Sequence, residues 1–445
     1  MYKAYVTTIK NVRKHPNADR LQLGECFGNT VCVNLDYTDG QIGVYFPTDG
    51  QLSVEFAEAN NLLRKKDADG NNIGGYMDEN KRNVTSIRLR GEKSDGLFLP
   101  LTCLESFGDI SALKVGDVID VFNGHEICKK YIPRSNRRHG NGRGNKTRKK
   151  KVDVAPLFAE HADTEQLAYN LSAFKPGDEI EITLKMHGTS QRTAYLPVFK
   201  GYKRTLLDKI LRREGTPIYD WGYVSGTRRT VLENYDGGYY GSNEFREQHS
   251  KFFEGKLWKS ESIYYEVVGF THTGVGIMAT ADNKKINDKE FVKQYGKTTT
   301  FSYGCEPDGI NYTDGIKPQS DIYVYRMTMT NEDGNVIEYT PDFMRYRCEQ
   351  MGVKTVPVFE HCFIPENDYG DNPGEFVLNE AEKYYDGPDP IGKTHVREGV
   401  VVRILNRPKF AAYKHKNFSF KVLEGIIKDV ADAPDMEEAE GLENE

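Results

Sequence analysis

Glu179-Ile180-Glu181-Ile182-Thr183-Leu184-Lys185-Met186-His187-Gly188-Thr189-Ser190 is the stretch that decides how this chain is read. Ile180, Ile182 and Leu184 alternate with Glu179, Glu181 and Thr183, which is the period-two pattern of a half-buried strand. Lys185 falls where that strand ends, beside a small polar turn, His187-Gly188-Thr189-Ser190. A lysine fixed next to a glycine can act as a nucleophile, because the bare backbone leaves room for a phosphate to approach. Taken alone, the same letters describe a strand that ends in a solvated lysine. Partners must be sought downstream.

Five segments supply them. Trp221 to Thr230 reads as a strand ending in Arg228 and Arg229. Ile263-Tyr264-Tyr265-Glu266-Val267-Val268-Gly269 is a β-branched and aromatic run with one carboxylate, Glu266, on the face shared by Tyr264 and Val268. Ile322 to Met327 is a tyrosine-rich strand containing Tyr325, and Glu398-Gly399-Val400-Val401-Val402-Arg403-Ile404 carries a carboxylate at its entrance. In Phe410 to Lys421, period two puts Lys414 and Lys416 on one side. Each charge could be an edge or surface residue if read singly. Together they place polar groups where buried strands prefer apolar ones.

Toward the N-terminus the chain is β-rich. Alternating runs such as Tyr2-Ala4-Val6 and Ile42-Val44-Phe46 are punctuated by Asp39-Gly40 and Asp49-Gly50 turns, which suits a small antiparallel barrel. His15-Pro16-Asn17-Ala18-Asp19-Arg20-Leu21 resembles the opening of the tRNA-binding type of oligonucleotide-binding (OB) fold. Arg134 to Lys151 then carries nine Lys and Arg, no acid, and Gly140, Gly142 and Gly144. That composition cannot build a core and reads as a linker that contacts phosphates. The expected layout is an OB-fold module at 1–133, the basic linker at 134–152, a catalytic domain at 153–427 and an acidic disordered tail at 428–445.

Composition bounds the rest. The chain has 445 residues and a net charge of -6, so any nucleic-acid surface is local rather than global. Seven cysteines without a CxxC pair argue against a disulfide framework or a cysteine zinc site. No apolar run approaches the roughly 20 residues of a membrane span. A cytoplasmic protein is expected. Gly387-Pro388-Asp389-Pro390-Ile391-Gly392-Lys393-Thr394 matches the phosphate-loop pattern, but Pro388 and Pro390 remove two of the backbone donors such a loop needs.

Lys185-Met186-His187-Gly188, the Arg228/Arg229 pair, Tyr265-Glu266-Val267-Val268-Gly269, Glu398-Gly399-Val400-Val401 and Lys414-His415-Lys416 follow the order of the covalent nucleotidyltransferase motifs. The KxHG form, and the KxKNFSFK run from Lys414 to Lys421, resemble RNA ligases rather than DNA ligases. Ser86 to Pro100 resembles part of the N-terminal OB module of one RNA-ligase group. As a whole the chain is similar to the two-domain, nick-sealing RNA ligases of the Deinococcus type. DNA ligases and capping enzymes carry a further domain after the last motif, whereas here Lys421 leaves 24 residues, rich in glutamate.

This resemblance implies an α+β protein: an OB-type β-barrel followed by a nucleotidyltransferase domain of antiparallel sheets with flanking helices. It implies that Lys185 attacks the α-phosphorus of ATP, that AMP passes to an RNA 5′-phosphate, and that a 3′-hydroxyl then displaces AMP. Cationic neighbours (Lys414, Lys416 and an arginine) would favour the neutral amine that attack requires. Glu266 and Glu398 are expected to hold Mg2+ (or Mn2+), and Lys185, His187, Gly188, Tyr325, Glu266, Lys414 and Lys416 to surround the nucleotide, with Tyr325 stacked on adenine. Which of Arg228 and Arg229 meets phosphate stays open, as does the role of His187, which stands where other members carry Asp or Asn. RNA and ATP are the expected partners of a monomer with no membrane association. The alternative is a non-catalytic RNA-binding protein with a decayed transferase fold.

Overall fold

The computed structural model describes residues 2–66, 68–70, 73–132, 152–162, 164–211, 213–232, 235, 240, 242–310, 317–366 and 372–429. The basic linker and the acidic tail lie outside these, apart from Val152 and two residues at the end of the final helix. The fold is α+β, mostly antiparallel strands with few helices. Contacts divide the chain into two compact units. One gathers the N-terminal region up to residue 132, Ala281–Thr298 and the helix Phe418–Asp429; the other holds residues 152–280 and 299–416.

In the first unit, Ala4–Thr8 pairs with both Ile42–Phe46 and Val118–Ile119, and Leu97–Pro100 extends that sheet to four strands. Its apolar face closes on the helix Val54–Ala59 through Val6, Val44, Phe46, Phe56 and Leu104. Among the described residues its strands form several small sheets rather than one closed ring. The two passages noted in the sequence meet here. His15 is buried; its Nδ1 accepts from the Asn17 N–H, leaving Nε2 to donate to the carbonyl of Leu89 in the hairpin from Ser86 to Asp95.

Two sheets build the second unit. The first contains β1 (Glu179–Lys185), β7 (Val358–Phe363), β8 (Gly399–Ile404) and β9 (Ala411–Lys416), with the short strand Glu165–Gln166 at its edge. The second contains β2 (Thr189–Lys203), β3 (Thr216–Gly226), β4 (Glu261–Gly269), β5 (Ser320–Thr330) and β6 (Val336–Glu338). Three helices matter to the site: α1 (Glu244–Phe252), α2 (Pro341–Met351) and α3 (Pro373–Glu382).

Each sheet buries one face against helices. Ile180, Ile182, Val400, Val402 and Ile404 pack on Phe376, Val377 and Ala381 of α3, each contributing on the order of 2 kcal/mol. Ile263, Val267, Val324 and Met327 pack on Phe245 of α1 and Met344, Cys348 and Met351 of α2. Helix α2 starts where Thr340 caps the Phe343 N–H with Pro341 behind it, and stops at Gly352 in the left-handed region (φ 72°). A buried ion pair, Arg347 to Glu261 at 2.8 Å, fastens it to β4. The two remaining sheet faces look into a shared cleft.

Among the described residues no helix is long and apolar enough to cross a membrane. The phosphate-loop look-alike is a turn between α3 and β8. Its Gly392 and Lys393 N–H groups donate to the Asp389 carboxylate, so they are already used within the turn.

Candidate active site

Strand parity sets the cleft's first wall. Lys185 pairs with Gly399 and Gly399 with Lys416; Thr183, Val401 and Lys414 form the next cross-strand row, then Glu181, Arg403 and Ala412. All of these share the face opposite the apolar one. Glu181, predicted only as the polar side of a half-buried strand, is in fact 3% exposed and lines the cleft. The alternation marks two buried faces, one apolar and one chemical.

Lys185 Nζ lies 2.8 Å from Glu398 Oε1, and Lys416 Nζ lies 3.3 Å from the same oxygen. The residue between the two lysines is Gly399, at φ 146°, where an added Cβ would lie 2.1 Å from the His415 carbonyl oxygen. Glycine is required at that point. Glu398 is 2% exposed, and burial alone would push its carboxyl up. The Lys185 and Lys416 ammonium groups, with His187 beyond them, overcome that and hold it down at about 2. Its other oxygen, Oε2, is 3.6 Å from His187 Nδ1 and has no hydrogen-bond partner among the described residues.

The chain passes from one sheet to the other through His187 and Gly188. A Cβ on Gly188 would lie 2.4 Å from the Val267 carbonyl and 2.9 Å from Glu266 Cγ, so a bare backbone is needed where β2 joins β4. Ser190 then pairs with Glu266, which lines the cleft on the second wall. Arg246 of α1 clamps the start of β2, donating to the Ser190 carbonyl at 3.1 Å and to Thr189 Oγ1 at 2.5 Å.

A bulge places Tyr325. Tyr264 pairs with Arg326 but Tyr265 pairs with Val324, so Tyr325 is the extra residue of β5. Both Tyr325 and Arg326 therefore reach the His161 side: the Tyr325 and His161 rings lie 5.1 Å apart, and Arg326 Nη1 lies 3.2 Å from His161 Nδ1. The Tyr325 hydroxyl is 2.8 Å from Ser190 Oγ. The cleft, about 860 Å³ including its open mouth, brings together Lys185, Glu266, Tyr325, Arg228 and Arg403. Arg228 is half-buried at its lining, whereas Arg229 is exposed. Lys414 is half-buried one row from Lys185.

No protein-family model matches this chain, and no curated protein matches it. Solved structures do. A Naegleria gruberi RNA ligase mutant with ATP and Mn superposes with a TM-score of 0.54 at 15% identity, covering 94% of this chain and 98% of that one. A second mutant of that ligase, with AMP and Mn, gives 0.54 at 16% identity, covering 94% and 97%. The same ligase with PPi gives 0.50 at 15%, covering 94% and 97%.

The chain has the fold of an RNA ligase.

Within that fold, one end of the cleft is tied by residues that no motif marked. Arg345 of α2 reaches Glu181 at 2.7 Å, while Glu338 of β6 is gripped by Arg326 and lies 3.5 Å from Arg403. Arg403 was legible from parity, two residues beyond Val401 on the cleft face. Arg345 and Arg246 were not, since they arrive on helices whose sequence fixes only a core face. Among the described residues no three His, Cys, Asp or Glu side chains gather to hold a metal ion by themselves. Glu266 lines the lysine end and Glu398 lies behind Lys185, and Glu398 Oε2, with no hydrogen bond of its own and His187 Nδ1 3.6 Å away, leaves oxygen capacity for a hydrated divalent ion. That donor set suits Mg2+, which prefers oxygen and keeps several waters.

Proposed function

We propose that this protein is an ATP-dependent RNA ligase that joins RNA 3′-hydroxyl and 5′-phosphate ends through a lysyl-AMP and an adenylylated RNA. The observation that carries the reading is the convergence of Lys185 and Lys416 on Glu398 in a cleft also lined by Glu266, Arg228 and Tyr325.

Lys185 is the nucleophile. Its amine forms a P–N bond to the α-phosphorus of ATP as the bond to pyrophosphate breaks. The ammonium proton must first pass to water, and the Glu398 carboxylate at 2.8 Å keeps the freed amine aimed. Lys416, kept beside Lys185 by the same carboxylate, supplies fixed positive charge where phosphate charge develops. Lys414, one row away, and Arg228 extend that field along the polyphosphate. The Tyr325 ring, aimed by the bulge and anchored to Ser190, is the face on which adenine stacks. Glu266 and Glu398 would hold Mg2+ or Mn2+ through its waters; when bound, the ion neutralises phosphate charge. In the later steps AMP moves from Lys185 to the RNA 5′-phosphate, and the 3′-hydroxyl oxygen displaces it. The N-terminal unit serves as an OB-type RNA clamp, and sealing of nicks in RNA repair by a cytoplasmic monomer completes the proposal.

The test is covalent labelling. Wild-type protein incubated with α-labelled ATP and Mg2+, then denatured, should carry an acid-labile label that Lys185→Ala lacks. An unlabelled wild type would sink the ligase reading.

A further inference from the structure

The turn that carries the nucleophile is held from two sides. Arg246 grips Thr189 and Ser190 on one; on the other, the Tyr303 hydroxyl accepts a hydrogen bond from the His187 N–H at 2.7 Å. Tyr303 belongs to none of the motifs. It sits between the short strand Thr298–Thr299 and β5, 3% exposed, at φ 49°. A bulky residue in the left-handed region costs roughly 1–2 kcal/mol, and such strain persists only where the surroundings impose it.

Those surroundings are specific. The Tyr303 ring meets the His395 ring edge-on at 4.6 Å; His395 meets Phe301 at 5.2 Å; Phe301 meets the His187 ring at 4.6 Å. His187 is thus held twice, through its backbone by Tyr303 and through its ring by Phe301. Burial first, with Asp389, Glu398 and Glu266 nearby, keeps the phenol pKa well above its usual value, so the group stays a neutral hydroxyl. Among the described residues the hydroxyl's own proton has no acceptor, which leaves one donor for a ligand or water.

Resting on the ligase reading, we propose that Tyr303 is a positioning residue for adenylyl transfer: its hydroxyl fixes the His187 peptide and thereby the aim of Lys185. It acts through the turn rather than on the phosphate. Removing the hydroxyl should therefore slow the chemical step without weakening ATP binding, because a misplaced nucleophile loses rate rather than affinity.

Tyr303→Phe keeps the ring, its contact with His395 and the backbone. The expected result is a fall of about tenfold in the single-turnover rate of lysyl-adenylate formation at saturating ATP. The half-saturating ATP concentration and melting temperature should stay near wild type. In nucleotide-free protein, amide hydrogen exchange at His187 should accelerate. An unchanged rate, a loss confined to ATP affinity, or unchanged His187 exchange would each overturn the proposal. Failure of the ligase reading looks different: the wild type itself would take no label, while the exchange measurement would still report whether Tyr303 holds His187.

Discussion

Lys185 Nζ lies 2.8 Å from Glu398 Oε1, and Glu398 immediately precedes Gly399, the residue that pairs with Lys185 across the sheet. Lysine and carboxylate are thus set by one register. A one-residue slip would turn Lys185 and Lys416 to the apolar face. The apolar packing of Ile180, Ile182, Val400 and Val402 on α3 is what forbids the slip, so the core positions the chemistry.

Arg228 lines the cleft and Arg229 is exposed, which predicts different consequences for two adjacent arginines. Arg228→Ala should slow lysyl-adenylate formation by about tenfold or more, the loss of one charge-assisted phosphate contact. Arg229→Ala should stay within about twofold of wild type. Single-turnover labelling of both variants checks this; the reverse order would mean that Arg229 faces the phosphate.

Tyr325 offers a ring and a hydroxyl, and the ring should matter more. Base stacking on an aromatic is worth about 1–3 kcal/mol, so Tyr325→Ala should raise the KM for ATP roughly tenfold or more. Tyr325→Phe keeps the ring, loses the bond to Ser190, and should change KM by about threefold at most. Equal effects would assign the hydroxyl, not the ring, to the nucleotide.

Gly399→Ala should destabilise the protein by roughly 1–3 kcal/mol and abolish adenylate formation. The new methyl cannot coexist with the His415 carbonyl 2.1 Å away, so β9 must shift and carry Lys416 off Glu398. Thermal melting and ATP labelling report the two effects. A variant that melts like wild type and still labels would show that this close approach is dispensable.

His249 of α1 gives the pH dependence. Buried against Ser320 Oγ at 2.9 Å, its imidazole is held neutral, with a pKa down at about 3 against an ordinary 6.5. Between those values the unfolded chain binds a proton that the folded chain refuses. His249's contribution to stability should be complete above pH 6.5 and be lost as pH drops toward 3. The full window is worth roughly 5 kcal/mol. His249→Gln should flatten this acid limb by roughly 1.4 kcal/mol per pH unit in urea titrations. Parallel slopes in the two proteins would contradict the assignment.

The sequence carried the strands and the identities of most groups in the cleft, because charge in a period-two run is conspicuous. Lys185, Glu266 and the Lys414/Lys416 pair could be placed on strands, and parity assigned their faces; Glu398 could be placed only at a strand entrance, where period two would group it with the apolar Val400 and Val402. Glu181 shows the limit: alternation separates two faces but does not say that both are buried, which depends on the second sheet. Tyr325 was named, yet the bulge that aims it follows from the register between Tyr264 and Tyr265 and leaves no local signature. Arg246 and Tyr303 reach the turn from a helix and a loop distant in sequence. No pattern near Lys185 foretells them.

The central claim is that Lys185 becomes covalently bonded to AMP. After incubation with ATP and Mg2+, protease digestion under neutral conditions and mass spectrometry should locate an AMP adduct on the peptide containing Lys185, lost on acid treatment. An adduct on another residue, or unmodified Lys185 in protein that nevertheless seals RNA ends, would contradict the account.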